Sequence, residues 1–179
     1  LTGARTVVIA ESLSPEKSYN VNLNYNYRIP FSNGFMILDG SAWYTLFTNQ
    51  ILPDYDTNPD QIIYKNLDGK SISKGISLSA EWNIKNRFRS QLGITLQDIR
   101  QIRKTADGKE EVVKPVLTES WSGVWSFTYR FPKEGISLDY TGNIYGPMRL
   151  PLLGTLDPRR SNSPVWSIQN IQVTKKIGK

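Results

Sequence analysis

The sequence predicts an all-β fold, an antiparallel up-and-down meander of about seven strands. The first reason is a period-two pattern over residues 19–27, in which Tyr, Val and Leu alternate with asparagine. Such alternation places apolar side chains on one sheet face and amides on the other. The second reason is that the connections between predicted strands alternate between short and long. Short connections lie at 30–34, 85–87 and 132–135, and long ones lie at 52–70, 103–115 and 147–164.

The strands are predicted from the same alternation, taken in chain order. Residues 4–10 resemble the end of a strand, and a loop covers 11–18. The predicted strands of the meander are 18–29, 35–51, 72–84, 88–97, 121–131, 136–144 and 165–177. Apolar residues occur on both faces of the strand at 35–51, so its phase stays open, as does that of the last strand. Asp107-Gly108 indicates a hairpin tip.

The alternating connection lengths bear on what covers the apolar face. In an antiparallel meander they gather the short turns at one end of the sheet and the long loops at the other. Outer-membrane barrels have this arrangement, with short periplasmic turns and long extracellular loops. A soluble sandwich, in which each sheet packs one face into a protein core, remains the alternative.

Composition excludes some functions and leaves the membrane question open. No apolar run approaches the roughly 20 residues of a transmembrane helix, but alternating barrel strands also keep the mean hydropathy low, here −0.41. The chain has neither cysteine nor histidine, which excludes metal sites and catalysis built on those residues. The net charge of +6 suits anionic partners, but most cations are scattered, as on an ordinary solvated surface.

Three groups of residues are candidates for sites. Asp54, Asp56 and Asp60 offer oxygen ligands, but they lack EF-hand spacing, so an acidic loop is favoured over a metal site. Glu81 and Asp139 form a possible acid–base pair. Three arginines in one long loop suit an anionic ligand or a lipopolysaccharide phosphate: Arg149, Arg159 and Arg160.

Specific motifs resemble a known family. Residues 13–20, Leu-Ser-Pro-Glu-Lys-Ser-Tyr-Asn, resemble the Leu-x-Pro-Glu-x-Ser-x-Asn motif that opens a strand in the barrel of TonB-dependent outer-membrane receptors. Residues 75–82 resemble a later strand of that barrel, and residues 47–55 and 143–148 are similar to segments of its Bacteroidetes branch. The acidic residue and glycine that usually follow the motif are replaced by Asn22-Leu23-Asn24.

The resemblance implies a large transmembrane β-barrel, of roughly 22 strands around a plugged lumen. Residues 1–179 are then expected to be a segment of that barrel domain, with the TonB box, plug, earlier strands and final strand outside it. The implied function is TonB-driven uptake of a scarce ligand, such as an iron–siderophore, across the bacterial outer membrane. A passive porin and a soluble β-rich ligand-binding module remain alternatives.

The resemblance also implies the surroundings of individual residues. It implies neither enzymatic activity nor a cofactor, metal or nucleic acid; the expected partners are lipid, lipopolysaccharide, the plug and TonB. The residues expected to face the lumen are Asn20, Asn22, Asn24, Ser77, Ser79, Glu81, Thr128, Arg130 and Asn143. Those expected to face lipid are Tyr19, Val21, Leu23, Tyr25, Ile76, Leu78, Trp82, Leu92, Ile94, Trp121, Trp125, Phe127, Leu138 and Tyr140. Asp54, Asp56, Asp60, Arg149, Arg159 and Arg160 are expected in extracellular loops, in reach of a ligand.

Overall fold

A computed structural model describes residues 5–9, 12–55, 57–58, 60–105, 107–151 and 158–177. These residues form strands joined by turns and irregular segments. The strands are β1 (Thr6–Ile9), β2 (Lys17–Phe31), β3 (Gly34–Asn49), β4 (Ile51–Asp54), β5 (Gln61–Asn66), β6 (Gly69–Ile84), β7 (Phe88–Lys104), β8 (Glu110–Val113), β9 (Trp121–Phe131), β10 (Ile136–Tyr145) and β11 (Trp166–Lys175). Within the described part of the chain, no helix has the length and apolar character needed to cross a bilayer.

Seven long strands form one antiparallel sheet in the order β2-β3-β6-β7-β9-β10-β11. Consecutive strands of the meander are therefore neighbours in the sheet, as the alternation predicts. The hairpin predicted at Asp107-Gly108 is also present, because β8 pairs with the end of β7. The all-β class and the meander are confirmed.

The long connection at 52–70 differs from its prediction as a polar loop. It contains β5 and most of β4, which pair as a hairpin, and the start of β6. The apolar run Ile62-Ile63-Tyr64 gives β5 a strand-forming sequence. β1 does not join the meander either; it pairs in parallel with β5. The result is a separate three-stranded sheet in the order β1-β5-β4.

The connections segregate by length as predicted. Strand pairs β2–β3, β6–β7 and β9–β10 are joined by short turns at one end of the sheet. At the turn after β6, Lys85 and Asn86 both have positive φ, 51° and 54°. Arg87 N–H donates to the Ile84 carbonyl at 3.0 Å. Two left-handed residues match the right-handed twist of the flanking strands and close the hairpin tightly.

The described residues bury no large apolar side chain. Leu78, in a central strand, is 55% exposed, and Ile94 in the next strand is 49% exposed. Val21, on the first strand of the sheet, is 71% exposed. A protein layer that covered the sheet would remove this surface from water. No such layer exists among the described residues.

Tryptophan rings occupy the space beside glycines on neighbouring strands. Trp125 is the cross-strand partner of Gly142, and Trp43 is the partner of Gly75. A Cβ atom added to Gly142 would overlap the Trp125 ring, and one added to Gly75 would overlap Trp43. Each indole therefore covers backbone that a side chain would otherwise occupy, a known way to stabilise a glycine in a sheet.

This packing predicts that Gly142→Ala destabilises the intact protein. The added methyl group must displace the Trp125 ring, and overpacking of this kind costs about 1–3 kcal/mol. Gly40→Ala is the matched control, because its Cβ would meet Leu78 at an ordinary 3.4 Å. Thermal unfolding of both variants, purified in detergent, checks the prediction. Equal unfolding midpoints of the two variants would contradict the prediction, because they would show that the Trp125 ring packs equally well beside an alanine.

Candidate functional site

The strand register determines which side chains share a face. Cross-strand partners lie on the same face, so Leu78 shares a face with Gly40 and Ile94, and Ser79 lies on the opposite face with Asp39. Followed across the sheet, the register puts all nine predicted lumen residues on one face, here the polar face. They are Asn20, Asn22, Asn24, Ser77, Ser79, Glu81, Thr128, Arg130 and Asn143.

The opposite face, here the apolar face, carries all fourteen residues predicted to meet lipid. They are Tyr19, Val21, Leu23, Tyr25, Ile76, Leu78, Trp82, Leu92, Ile94, Trp121, Trp125, Phe127, Leu138 and Tyr140. That the two faces meet lipid and lumen stays a prediction. The register also resolves the phase of β3, because Trp43 lies on the polar face, opposite Asn22 and Gly75.

The apolar face ends in charges at the long-connection end of the sheet. The Asp98 carboxylate on β7 forms an ion pair with the Arg100 guanidinium at 2.9 Å, and it lies 3.8 Å from the Lys74 ammonium group. Below this cluster, β6 presents an unbroken apolar series from Ile76 to Ile84. Eight residue steps at about 3.4 Å give about 27 Å along the strand. A tilt of about 40° reduces that to about 21 Å, close to the roughly 25 Å apolar band of outer-membrane barrels.

Neutral side chains on the polar face hydrogen-bond to one another in two places. Asn20 donates to Thr45 at 2.5 Å and accepts from Asn22 on the same strand. Two strands further, Thr95 donates to Ser77 at 3.1 Å. Amides and hydroxyls each offer donors and acceptors. The polar face can therefore bind water or another polar surface without carrying a high charge.

Ionised groups lie on the polar face nearer the short turns. Arg89 pairs with Glu81 at 3.0 Å, and Thr128 donates to Asp139 at 2.6 Å. Glu81 and Asp139 lie on β6 and β10, three strand spacings apart, or about 14 Å at about 4.8 Å per spacing. Carboxyl pairs of glycosidases lie roughly 5–9.5 Å apart. The structure does not bring these two residues together as an acid–base pair.

Asparagines hold the segment that precedes β2. Asn66 accepts from Ser14 N–H at 2.8 Å and donates to the Ser14 carbonyl at 2.9 Å. Asn49 donates to the Pro15 carbonyl at 2.7 Å, and Glu16 accepts from Ile51 N–H at 2.9 Å. The Pro-Glu motif therefore ties the start of β2 to the ends of β3 and β5. The sequence did not predict these contacts of Asn49 and Asn66, since nothing local marks a partner 52 residues away.

The two predicted acidic loop residues that the structure describes make separate contacts. Asp54 is only 8% exposed; it accepts from the Thr57 hydroxyl at 2.6 Å and pairs with Lys65 at 2.9 Å. Asp60 is exposed, and its backbone carbonyl accepts from Thr6 N–H at 2.9 Å. Asp56 lies outside the described residues. In the part of the chain that the structure describes, no acidic cluster is placed to hold a metal ion.

A cavity of about 240 Å³ lies among the long connections, with Asp54, Arg103, Lys114 and Arg149 in its lining. Arg149 donates to the Lys114 carbonyl at 3.3 Å. Arg103 donates to Gln101 at 2.6 Å, and its buried Nε has no hydrogen bond within the described residues. The sequence predicted Asp54 and Arg149 as loop residues. It did not predict that Arg103 and Lys114 line the same cavity, because β7 and the loop after it approach the other two long connections only in the folded sheet.

The other two arginines of the last long connection lie apart from this cavity. Arg159 donates to the Pro151 carbonyl at 3.1 Å, and Arg160 is exposed. Backbone hydrogen bonds of Leu150 to Ser161 and of Ser163 to Met148 fold the two ends of this connection together. The cavity is therefore built from three different connections and contains only one of the three arginines.

Comparison with known proteins identifies what this sheet resembles. The family model described as TonB dependent receptor-like, beta-barrel matches residues 2–170. Two solved structures of the FrpB iron transporter from Neisseria meningitidis are similar, each 14% identical over 96% of this chain. The F3-3 variant has a TM-score of 0.63, and the F5-1 variant, in its apoprotein form, has 0.64. This chain spans about a quarter of their length, 25% and 26%. No curated protein matched.

The asparagine contacts predict that Asn66→Ala loosens the segment before β2. The substitution removes the acceptor of Ser14 N–H, and one hydrogen bond contributes about 1 kcal/mol. Amide exchange at Ser14 should therefore become about fivefold faster. Hydrogen–deuterium exchange of the intact protein measures this. Asn24→Ala is the control, because the Asn24 side chain makes no hydrogen bond in the described residues; equal exchange in both variants would contradict the assignment.

Proposed function

The chain belongs to the family of TonB-dependent receptor-like β-barrels, and from this we propose that it forms part of the barrel wall of an outer-membrane transport receptor. The observation that carries the proposal is the apolar face. It extends across all seven long strands, and the described residues provide no layer to cover it. Large exposed apolar surfaces mark interaction sites with protein or membrane, and hydrocarbon tails fit a face of this height.

The polar face supports the complementary half of the proposal. In a plugged barrel this face looks into the lumen, where water and the plug supply polar contacts. The neutral network around Asn20 and Ser77 suits such contacts, because its groups can exchange hydrogen bonds with water. The ion pair of Arg89 with Glu81 provides charged contacts nearer the short turns. The plug is therefore a proposed partner of this face.

The edges of the sheet also support a larger assembly. β2 and β11 are the outermost strands, and their side chains are exposed along almost their whole length. An unpaired strand edge is a template for further pairing, and unpaired backbone groups cannot remain in hydrocarbon. We propose that neighbouring strands of the same barrel pair with both edges.

For the transported ligand, the proposal is a scarce metal complex such as an iron–siderophore. The support is the likeness to the two structures of the FrpB iron transporter. Uptake would be driven by the TonB system. The cavity with Asp54, Arg103 and Arg149 lies at the end of the long connections, which are extracellular in barrels of this kind. These residues are the proposed wall contacts for a ligand that arrives from outside.

A passive porin is the second candidate, because its wall would show the same two faces and the same segregation of loops. The two functions differ in their need for energy. A porin passes solutes down a gradient, whereas a TonB-dependent receptor stops transporting when the proton-motive force collapses. The family to which the chain belongs favours the receptor.

A charge should be tolerated on the polar face but not on the apolar face. Leu78→Arg puts a guanidinium inside the proposed hydrocarbon band, between its midpoint at Ala80 and its end at Ile76, at a cost of about 2 kcal/mol. Ser79→Arg places the same group on the polar face, opposite Asp39. We expect Leu78→Arg to reduce the amount of intact protein assembled in outer-membrane fractions severalfold and Ser79→Arg to leave it near the wild-type amount. Equal loss in both variants would argue against a lipid-facing apolar surface.

Energised uptake tests the transport function. A strain that lacks the intact gene should lose most uptake of radioactive ferric citrate under iron limitation, and the wild-type gene should restore it. A protonophore should abolish the restored uptake, because TonB coupling requires the proton-motive force. Uptake that survives the protonophore would support the porin. Uptake that is unchanged by the deletion would contradict iron transport by this protein.

A further inference from the structure

The short-turn end of the sheet is strongly basic. Its residues, here the short-turn rim, are 32–33, 85–87, 132–135 and 175–177. They include five cations and one carboxylate, Glu134, hence a net charge of +4 out of +6 for the whole chain. The five cations are Lys85, Arg87, Lys133, Lys175 and Lys176. They are scattered in sequence, and only the meander brings them to one edge.

Backbone hydrogen bonds link neighbouring segments of the rim in two places. Lys85 N–H donates to the Asn33 carbonyl at 2.6 Å, and Lys176 N–H donates to the Gly135 carbonyl at 2.8 Å. The Lys175 ammonium group donates to the Glu134 carbonyl. All five cations are exposed, and none forms an ion pair with a carboxylate in the described part of the chain. Their charges are available to a partner.

The rim is continuous with the apolar face. Lys175 lies on that face, opposite Ile136, and Lys85 directly follows Ile84. Phe88, Tyr129 and Leu138 form the row of apolar side chains beside the rim. A long cationic side chain in this position can lay its methylene stem on apolar surface while the charged head reaches the interface.

The conformation of Lys85 sets this position apart. Its φ of 51° lies in the left-handed region, where asparagine and glycine are common and other side chains are strained. Asparagine or glycine would fit the hairpin with less strain. A lysine in a strained backbone position is a reason to look for a role of its charge.

We propose that the short-turn rim binds the headgroups of anionic phospholipids in the leaflet that adjoins the short turns. This inference rests on the proposed function, because it needs the apolar face to lie in a bilayer. The cations of the rim and the anionic headgroups attract each other within about a Debye length of the membrane surface. Lysines that serve only to solvate the surface could lie anywhere on it, whereas these cations lie at the level where the apolar face ends. An anionic headgroup satisfies both the charge and the position.

The test uses the intact protein in nanodiscs of phosphatidylcholine alone and of an equal mixture with phosphatidylglycerol. The wild type should unfold several degrees higher in the mixture. The triple variant Lys85→Gln, Arg87→Gln, Lys133→Gln should lose most of this difference while keeping the wild-type midpoint in phosphatidylcholine. The control variant Lys70→Gln, Lys104→Gln, Lys109→Gln removes the same charge at the opposite end and should keep the difference. A charge-retaining variant, Lys85→Arg, Arg87→Lys, Lys133→Arg, should keep it too.

Each other outcome has a defined meaning. A wild type with equal midpoints in both lipids would overturn the inference and leave the proposed function intact. A triple variant that is destabilised equally in both lipids would show a structural role and also overturn it. Equal stabilisation by inorganic phosphate would assign the rim to a soluble anion instead. Failure of the wild type to enter either nanodisc would overturn the proposed function and, with it, this inference.

Discussion

One physical constraint underlies the structure: a seven-stranded sheet has an apolar face that nothing in the described chain covers. Exposing that face to water costs roughly 25 cal/mol per Å² of apolar surface. Val21, Leu78 and Ile94 each keep about half or more of their side chains exposed. A second protein layer would cover this face in a soluble domain, but the described residues outside the seven long strands form only short strands and connections. The proposed contact with hydrocarbon fits both the height of the apolar band and the charges at its limit.

The other features follow from placing this sheet in a bilayer. Strands must pair with neighbours, because unpaired backbone groups are not tolerated in hydrocarbon. A meander meets that need with few residues between strands, and it leaves the long connections at one end. Those connections have their own order, since β4, β5 and the segment before β2 are tied together through Asn49 and Asn66. The end that would meet an incoming ligand is therefore structured, and it contains a cavity lined by charged side chains.

The sequence predicted the features that depend on neighbouring residues and missed those that depend on distant ones. The alternation at 19–27 was sufficient to divide β2 between two faces, because strand geometry repeats every two residues. It could not divide β3, where Trp43 lies on the polar face because Gly75, on the next strand, leaves room for its ring. The parallel pairing of β1 with β5 was missed because the paired residues of the two strands lie 55 positions apart in the sequence. The basic rim was hidden for the same reason, since its cations come from separate turns.

The proposed placement of the sheet in a bilayer depends most directly on which face of β7 meets hydrocarbon. Spin labels on single cysteines at Ile94→Cys and Gln91→Cys test this in the intact protein reconstituted in lipid, and this chain contributes no other cysteine. The account predicts that the label at position 94 collides more often with dissolved oxygen, which concentrates in hydrocarbon. It predicts that the label at position 91 collides more often with a water-soluble nickel chelate. A label at position 94 that is shielded from both reagents, as in a protein core, would contradict this placement. So would a label there that collides mainly with the nickel chelate.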